Sequence, residues 1–413
     1  MIKLLSPKIS SILFLLFVSL SGFAQNEKAE ADLGEIMKKL DVVGLSVAVV
    51  KKGEIIYTHS FGVKDNTTNH PLTDENIFRI ASISKSFSAT SIMQLIEARK
   101  LSLDDDFSNL VGFKIRNPKF PETVITLRMI LSHTSSINDS QGYFTLDAIN
   151  PAKNPDWQKC YSDFAPGTDY RYCNLNYNMI GTVIEKYSGE RFDRYVNKHI
   201  LNPLGLYGGY NVDSLDAMRF ATLHEYNPST KRLSPSPLAY TPRKEEIKNY
   251  VMGYSTPIFS PTGGMKISAT DLAKYMTMHM NYGKYKGTRI MSKKSARLMQ
   301  TKISEEEGYG MAIANREDVI PGKIMTGHTG SAYGLYSAMF FNPKEKFGIV
   351  VITNGCNPSS SNGLNDVLRA GVNSLYENFL SSFRRQEPRT KNQDKRSKTK
   401  DQRSKTKDNS VLI

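Results

Sequence analysis

Cysteine and tryptophan are scarce in this chain, with three and one among 413 residues. Cys160, Cys173 and Cys356 are odd in number, so they cannot all pair within the chain, and no disulfide framework is expected to hold the fold. A Cys160–Cys173 bridge would need Cα atoms within bridging reach; isolated buried thiols are the expectation. No His-Glu-x-x-His helix is present, and His224-Glu225 lacks a second histidine, so no metal site is expected. There is no Gly-x-Ser-x-Gly elbow and no glycine-rich phosphate loop. No cofactor is expected either.

A membrane span is missing as well. The apolar stretch Ile12–Leu20 is far shorter than the roughly 20 residues a bilayer requires. It follows Lys3 and Lys8 and precedes Gly22-Phe23-Ala24, the order of a cleaved signal peptide over residues 1–24. Export to the periplasm or beyond is therefore expected, with no stable span after cleavage.

The formal charge of +14 suggests nucleic acid until it is located. Residues 384–413 hold eleven Lys or Arg against four Asp or Glu, and residues 1–24 hold two Lys, so the body keeps about +5. The tail repeats Asp394-Lys395-Arg396-Ser397-Lys398-Thr399-Lys400 as Asp401-Gln402-Arg403-Ser404-Lys405-Thr406-Lys407 and has too few apolar residues to fold. Weak contact of this tail with an anionic envelope surface is the partner it suggests; nucleic acid is not one.

The apolar runs Leu45–Val50 and Ile55–Phe61 read as a hairpin turning at Lys52-Gly53, and Leu335–Phe341 with Phe347–Asn354 as a second strand pair. A helix is expected from about Leu364 to Phe383. From about 101 to 261 the apolar spacing is mostly helical, with runs at Asn176–Tyr187 and Arg191–Leu201. Ser268-x-x-Asp271 resembles a capping box opening a helix over Leu272–Met280. The expected fold is α/β (α+β type): an antiparallel sheet from about 27–100 and 262–383, flanked by N- and C-terminal helices, with an inserted all-helical domain. Chemistry belongs at their junction.

In Phe78-Arg79-Ile80-Ala81-Ser82-Ile83-Ser84-Lys85 a helix begins, with Ile83, Phe87, Met93 and Ile96 near one apolar face. Ser82 and Lys85, three apart, share a face. A serine at a helix start has backbone N–H groups beside it for a developing oxyanion, and Lys85 offers a cation or an amine base. Ser-x-x-Lys alone is weak, since it recurs at Ser397–Lys400 and Ser404–Lys407, where catalysis is excluded. Tyr172-x-Asn174 stands just before a helix, Gly327-His328-Thr329-Gly330 before a strand, and Leu131-Ser132-His133-Thr134-Ser135-Ser136 after a short helix.

Taken in order, with Pro203-Leu204-Gly205 and Thr262-Gly263-Gly264, these motifs resemble the serine β-lactamase and penicillin-binding-protein superfamily, in its branch of class C β-lactamases, D-alanyl-D-alanine carboxypeptidases and esterases. The resemblance runs from about Val43 to Asn354. It implies a β-lactamase/transpeptidase-like fold with Ser82 as nucleophile and Lys85 and Tyr172 as its proton-handling pair. Asn174 would bond the substrate's amide side chain and Lys85. The oxyanion hole would be the N–H groups of Ser82 and Ser331, with His328, Thr329 and Gly330 along the substrate. The His133 segment would shape the site floor. Ser136 stands where the family usually has glycine, so a different loop conformation is expected there. Cys173 is read as packing.

The expected substrate is a small peptide, ester or β-lactam, and the expected activity D-amino-acid peptide (carboxypeptidase-like), amide or ester hydrolysis. The alternatives are a class C-like β-lactamase and a penicillin-recognising protein that does not turn over. His328, ordinarily titrating near 6.5, would give a carboxylate-bearing β-lactam little cationic attraction.

Overall fold

In β1 (Gly44–Lys51) nearly every residue is buried, and its apolar run is continuous because both faces of the strand are covered. Lys52 and Gly53, both at positive φ, turn the chain into β2 (Glu54–Asp65), the geometry that matches a two-residue hairpin to strand twist. The structure is a computed structural model and describes residues 25–381. The signal-peptide reading of 1–24 and the basic tail 384–413 lie outside the described residues.

A seven-stranded antiparallel sheet organises the fold. Beyond β1 and β2 it contains β3 (His70–Pro71), β4 (Ala314–Ile320), β5 (Lys323–Ala332), β6 (Leu335–Asn342) and β7 (Phe347–Thr353), in the order β4-β5-β6-β7-β1-β2-β3. Segments from near the two ends of the described chain meet at β1 and β7, where Leu45 faces Thr353 and Lys51 faces Phe347. On one sheet face, α1 (25–39) and the closing helix, α5 (Asp366–Phe379), bury Leu33, Val367 and Val372 against Val47, Phe340 and Ile349. On the other face, α4 (Ala269–Met280) buries Leu272 and Met276 with Ala48, Met339 and Val350. Adjacent β7 residues therefore enter opposite cores, as the period of two demands.

The expected strand pairs, closing helix and Ser268 cap are present; Ser268 Oγ accepts from Asp271 N at 3.1 Å. The closing helix ends at Phe379. The inserted segment contains α3 (Asn174–Ser188) and several short helices, yet it is not all-helical. His224–Asn227 pairs with Arg232–Pro235 as a hairpin, and Gly208–Gly209 joins a small sheet. That hairpin is mostly exposed outside His224, so no apolar periodicity announces it. No described helix is long and apolar enough to cross a membrane. Cys160, Cys173 and Cys356 are free and buried.

Candidate active site

The segment entering the site is clamped before the helix begins. Phe78 and Arg79 pair with Ile267 and Lys266. Ile80 N donates to Met265 O at 2.9 Å, and Ser337 Oγ donates to Ile80 O at 3.0 Å. Ala81 then takes a φ of 48°, a left-handed conformation uncommon for a residue with a Cβ. One turn, Ala81–Ile83, leads into α2 (Ser84–Glu97). Ser82 therefore sits in the first turn of a helix, where N–H groups lack partners within the helix. The expected apolar face is wider than its spacing suggests: α2 is buried without a break from Ser84 to Met93. Small side chains allow this, and Ser84, Ser86, Ser88 and Ser91 spend their hydroxyls on backbone groups.

Lys85 is completely buried. Its Nζ donates to Ser82 Oγ at 3.1 Å, Asn174 Oδ1 at 2.8 Å and Thr262 O at 3.1 Å. It also lies 4.7 Å from the centroid of the Tyr172 ring. Burial disfavours the ammonium and lowers its pKa to about 7, despite the opposing field of Asp139. Burial pushes the Tyr172 phenol well above its usual value, although a hydrogen bond with Ser82 partly offsets this. The structure thus brings Ser82, Lys85, Tyr172 and Asn174 together.

Strand β5 closes the other side. Gly330 lies against the turn carrying Ser82, with no room for a side chain: a Cβ would fall 2.2 Å from Ile80 O. Thr329 is half-buried and Ser331 exposed just beyond. His328 is buried; its Nδ1 lies 2.5 Å from Thr329 O and its Nε2 3.2 Å from Tyr309 Oη. A carbonyl only accepts, so Nδ1 carries the proton and Nε2 accepts from the phenol. Burial, reinforced by Lys85, lowers the His328 pKa to about 4, so the ring is neutral at neutral pH. A cleft of about 670 Å³ runs outward from Tyr172, His328 and Thr329, with Glu305, Glu306 and Glu307 on its wall.

Three contributions escaped sequence reasoning. His133 is more than a floor. Its Nδ1 accepts from Cys173 N at 3.2 Å, its carbonyl accepts from Arg171 N at 2.8 Å, and its ring packs 4.4 Å from that of Tyr172. Thr262 supplies a carbonyl to Lys85 and a hydroxyl to Asn174. Asp139 caps the start of α3. His133 and Thr262 stood within quoted motifs that did not assign them these contacts, and no motif marked Asp139. Ser136 departs from expectation in the opposite direction: its φ of 63° is the left-handed conformation a glycine provides. Asn117 Nδ2 bonds its hydroxyl at 3.0 Å, so serine keeps the glycine-type turn.

An activatable serine hydrogen-bonded to a buried amine, beside a strand edge, defines a serine hydrolase arrangement. The Beta-lactamase family model matches residues 29–373, and the chain belongs to that family. It is a serine hydrolase of the β-lactamase and penicillin-binding-protein type. It is 28% identical to penicillin-binding protein 4 of Amycolatopsis lactamdurans over 76% of this chain and 81% of the relative. It is 24% identical to protein flp of Staphylococcus aureus over 77% of this chain, a match spanning 61% of that longer protein. Among solved structures, the octameric penicillin-binding protein homologue from Pyrococcus abyssi superposes with a TM-score of 0.67, at 28% identity over 85% of this chain and 78% of that one. The D-amino acid amidase from Ochrobactrum anthropi SV3 superposes at 0.65, with 20% identity over 86% and 98% of the two chains, and shares the fold.

Proposed function

We propose that this protein hydrolyses a D-amino-acid peptide bond, or a related amide or ester, through an acyl-Ser82 intermediate. The observation that carries this reading is the surroundings of Lys85 Nζ. A neutral amine has two N–H groups and one lone pair. Asn174 Oδ1 and Thr262 O accept the two hydrogens, leaving the lone pair for the Ser82 hydroxyl at 3.1 Å. Once protonated, the ammonium finds a third acceptor in Ser82 Oγ. Either protonation state is satisfied, and a pKa of about 7 lets both be populated.

In this mechanism Ser82 Oγ attacks the carbonyl carbon as its proton passes to Lys85 Nζ. The carbonyl oxygen becomes an oxyanion held by the N–H groups of Ser82 and Ser331. Collapse breaks the bond to the leaving amine or alkoxide, which takes a proton relayed from Lys85 through the Tyr172 hydroxyl. Water then attacks the Ser82 ester with Lys85 and Tyr172 again handling the proton, releasing the acid and restoring Ser82. An intact Tyr172 favours turnover over a penicillin sensor that stops at acylation. The neutral His328 offers no cation to a β-lactam carboxylate, which ranks a class C-like β-lactamase second. We further propose that residues 1–24 direct export and that the basic tail touches anionic envelope material.

A panel of a D-amino acid amide, a short D-peptide, an acetyl ester and a chromogenic cephalosporin tests the substrate class. Amide, peptide or ester turnover that is lost in Ser82→Ala supports it. Cephalosporin turnover far above the others would invert the ranking.

A further inference from the structure

Asp139 sits in the loop after the His133 segment, half-buried, and forms no ion pair among the described residues. Its carboxylate instead gathers four donors. Oδ2 accepts from Asn174 N and Asn174 Nδ2, each at 2.9 Å. Oδ1 accepts from Leu175 N at 2.9 Å and from Cys173 Sγ at 3.2 Å. The first turn of α3 and the Asn174 side chain are thereby tied to one anion.

Resting on the reading of Lys85 as base, we propose that Asp139 is a positioning residue, fixing the sense in which the Asn174 carboxamide faces Lys85. A carboxamide has nearly the same shape in both flips. Here an anion stands on one side and an amine that becomes cationic on the other. Nδ2 toward Asp139 and Oδ1 toward Lys85 satisfies both. The flipped amide would set oxygen against carboxylate and N–H against N–H, leaving buried donors unpaired. Thr262 Oγ1, at 3.0 Å from Asn174 Oδ1, completes the same polarity.

Charge adds a second consequence. The titratable groups facing Lys85 are Tyr172 and Cys173 ahead of α3, Tyr177 within it, His133, His328 on β5, and Asp139. Burial pushes the phenols and the thiol up and both imidazoles down, so all are neutral at neutral pH. Asp139 is the one anion among them, and it opposes the loss of the Lys85 proton.

The test follows acylation of Ser82 by an acetyl ester across pH in wild type, Asp139→Asn, Asp139→Glu, Asn174→Ala and the Asp139→Asn/Asn174→Ala double variant, each verified by a cooperative melt. Asp139→Asn should lower the plateau rate about 100-fold, the cost of misplacing a catalytic group. It should also move the acid limb to lower pH by about one unit, because the ammonium loses its anion. Asp139→Glu keeps the charge while displacing it, so the plateau should fall and the limb should stay. It also serves if the asparagine variant does not fold. The double variant should lose little more than the worse single one, since both act through one carboxamide. An Asp139→Asn plateau within twofold of wild type, or losses that multiply, would overturn the proposal. Wild type unlabelled at Ser82 would instead overturn the proposed function beneath it.

Discussion

Gly330→Ala adds a Cβ that would lie 2.2 Å from Ile80 O, 2.5 Å from Ser337 Oγ and 3.1 Å from Ala81 Cβ. The first of these contacts cannot give easily, because Ile80 is held by Met265 and by Ser337. To reach an ordinary contact, β5 must retreat from the turn bearing Ser82 by about 1 Å, a misplacement of the size that costs about 100-fold in rate. Overpacking should also destabilise the protein by roughly 1–3 kcal/mol. The assay is the acylation rate with an ester substrate, beside a thermal melt. Gly34→Ala is the control: it lies in helix α1, with nothing within 4 Å of the added Cβ. The same methyl should there raise stability by about 0.5–1 kcal/mol and leave acylation untouched. A folded Gly330→Ala protein acylated at the wild-type rate would refute the claim that this spacing sets the oxyanion geometry.

Further outcomes follow from the same structure. With free Lys85 as the working form in the proposed mechanism, kcat/KM should rise with pH through about 7 and show no falling limb until Tyr172 ionises above its usual range. A flat profile between pH 5 and 9 would contradict this. Lys85→Ala and Tyr172→Phe should each cost about three orders of magnitude, and together little more than the worse one, in single-turnover kinetics. Glu185 is buried in the inserted segment and accepts from Phe192 N at 2.8 Å, Gly253 N at 2.7 Å and Thr256 Oγ1 at 2.8 Å. Glu185→Ala leaves those donors unpaired and should cost about 3 kcal/mol, read by denaturant unfolding.

The central strands β1, β6 and β7 were legible because they are covered on both faces and read as unbroken apolar runs, as in Val47-Ala48-Val49-Val50. Towards the sheet edges, β3 and β4 are largely exposed or half-buried and carry no such run. The hairpin at 224–235 was not legible, since it is held by cross-strand backbone bonds and mostly lacks a buried stripe. In the site, Ser82 and Lys85 announce themselves through spacing along one helix, and Tyr172 and Asn174 through their place before another. Asp139 and Thr262 act through chain-distant contacts: Asp139 lies 35 residues from Asn174, and Thr262 lies 177 from Lys85. Neither separation leaves a local pattern, and the Thr262-Gly263-Gly264 motif marked Thr262 only through the family resemblance. His328 was legible as a weak cation from its ordinary pKa, while the extent of its neutrality was not, because that depends on burial and on the charge of Lys85.

The most direct test is intact-mass spectrometry of the purified protein after brief incubation with an active-site serine reagent, followed by peptide mapping. The account predicts one adduct, on Ser82, forming faster as pH rises through about 7 and absent in a folded Ser82→Ala protein. An adduct on another residue, or unchanged labelling of Ser82→Ala, would contradict it.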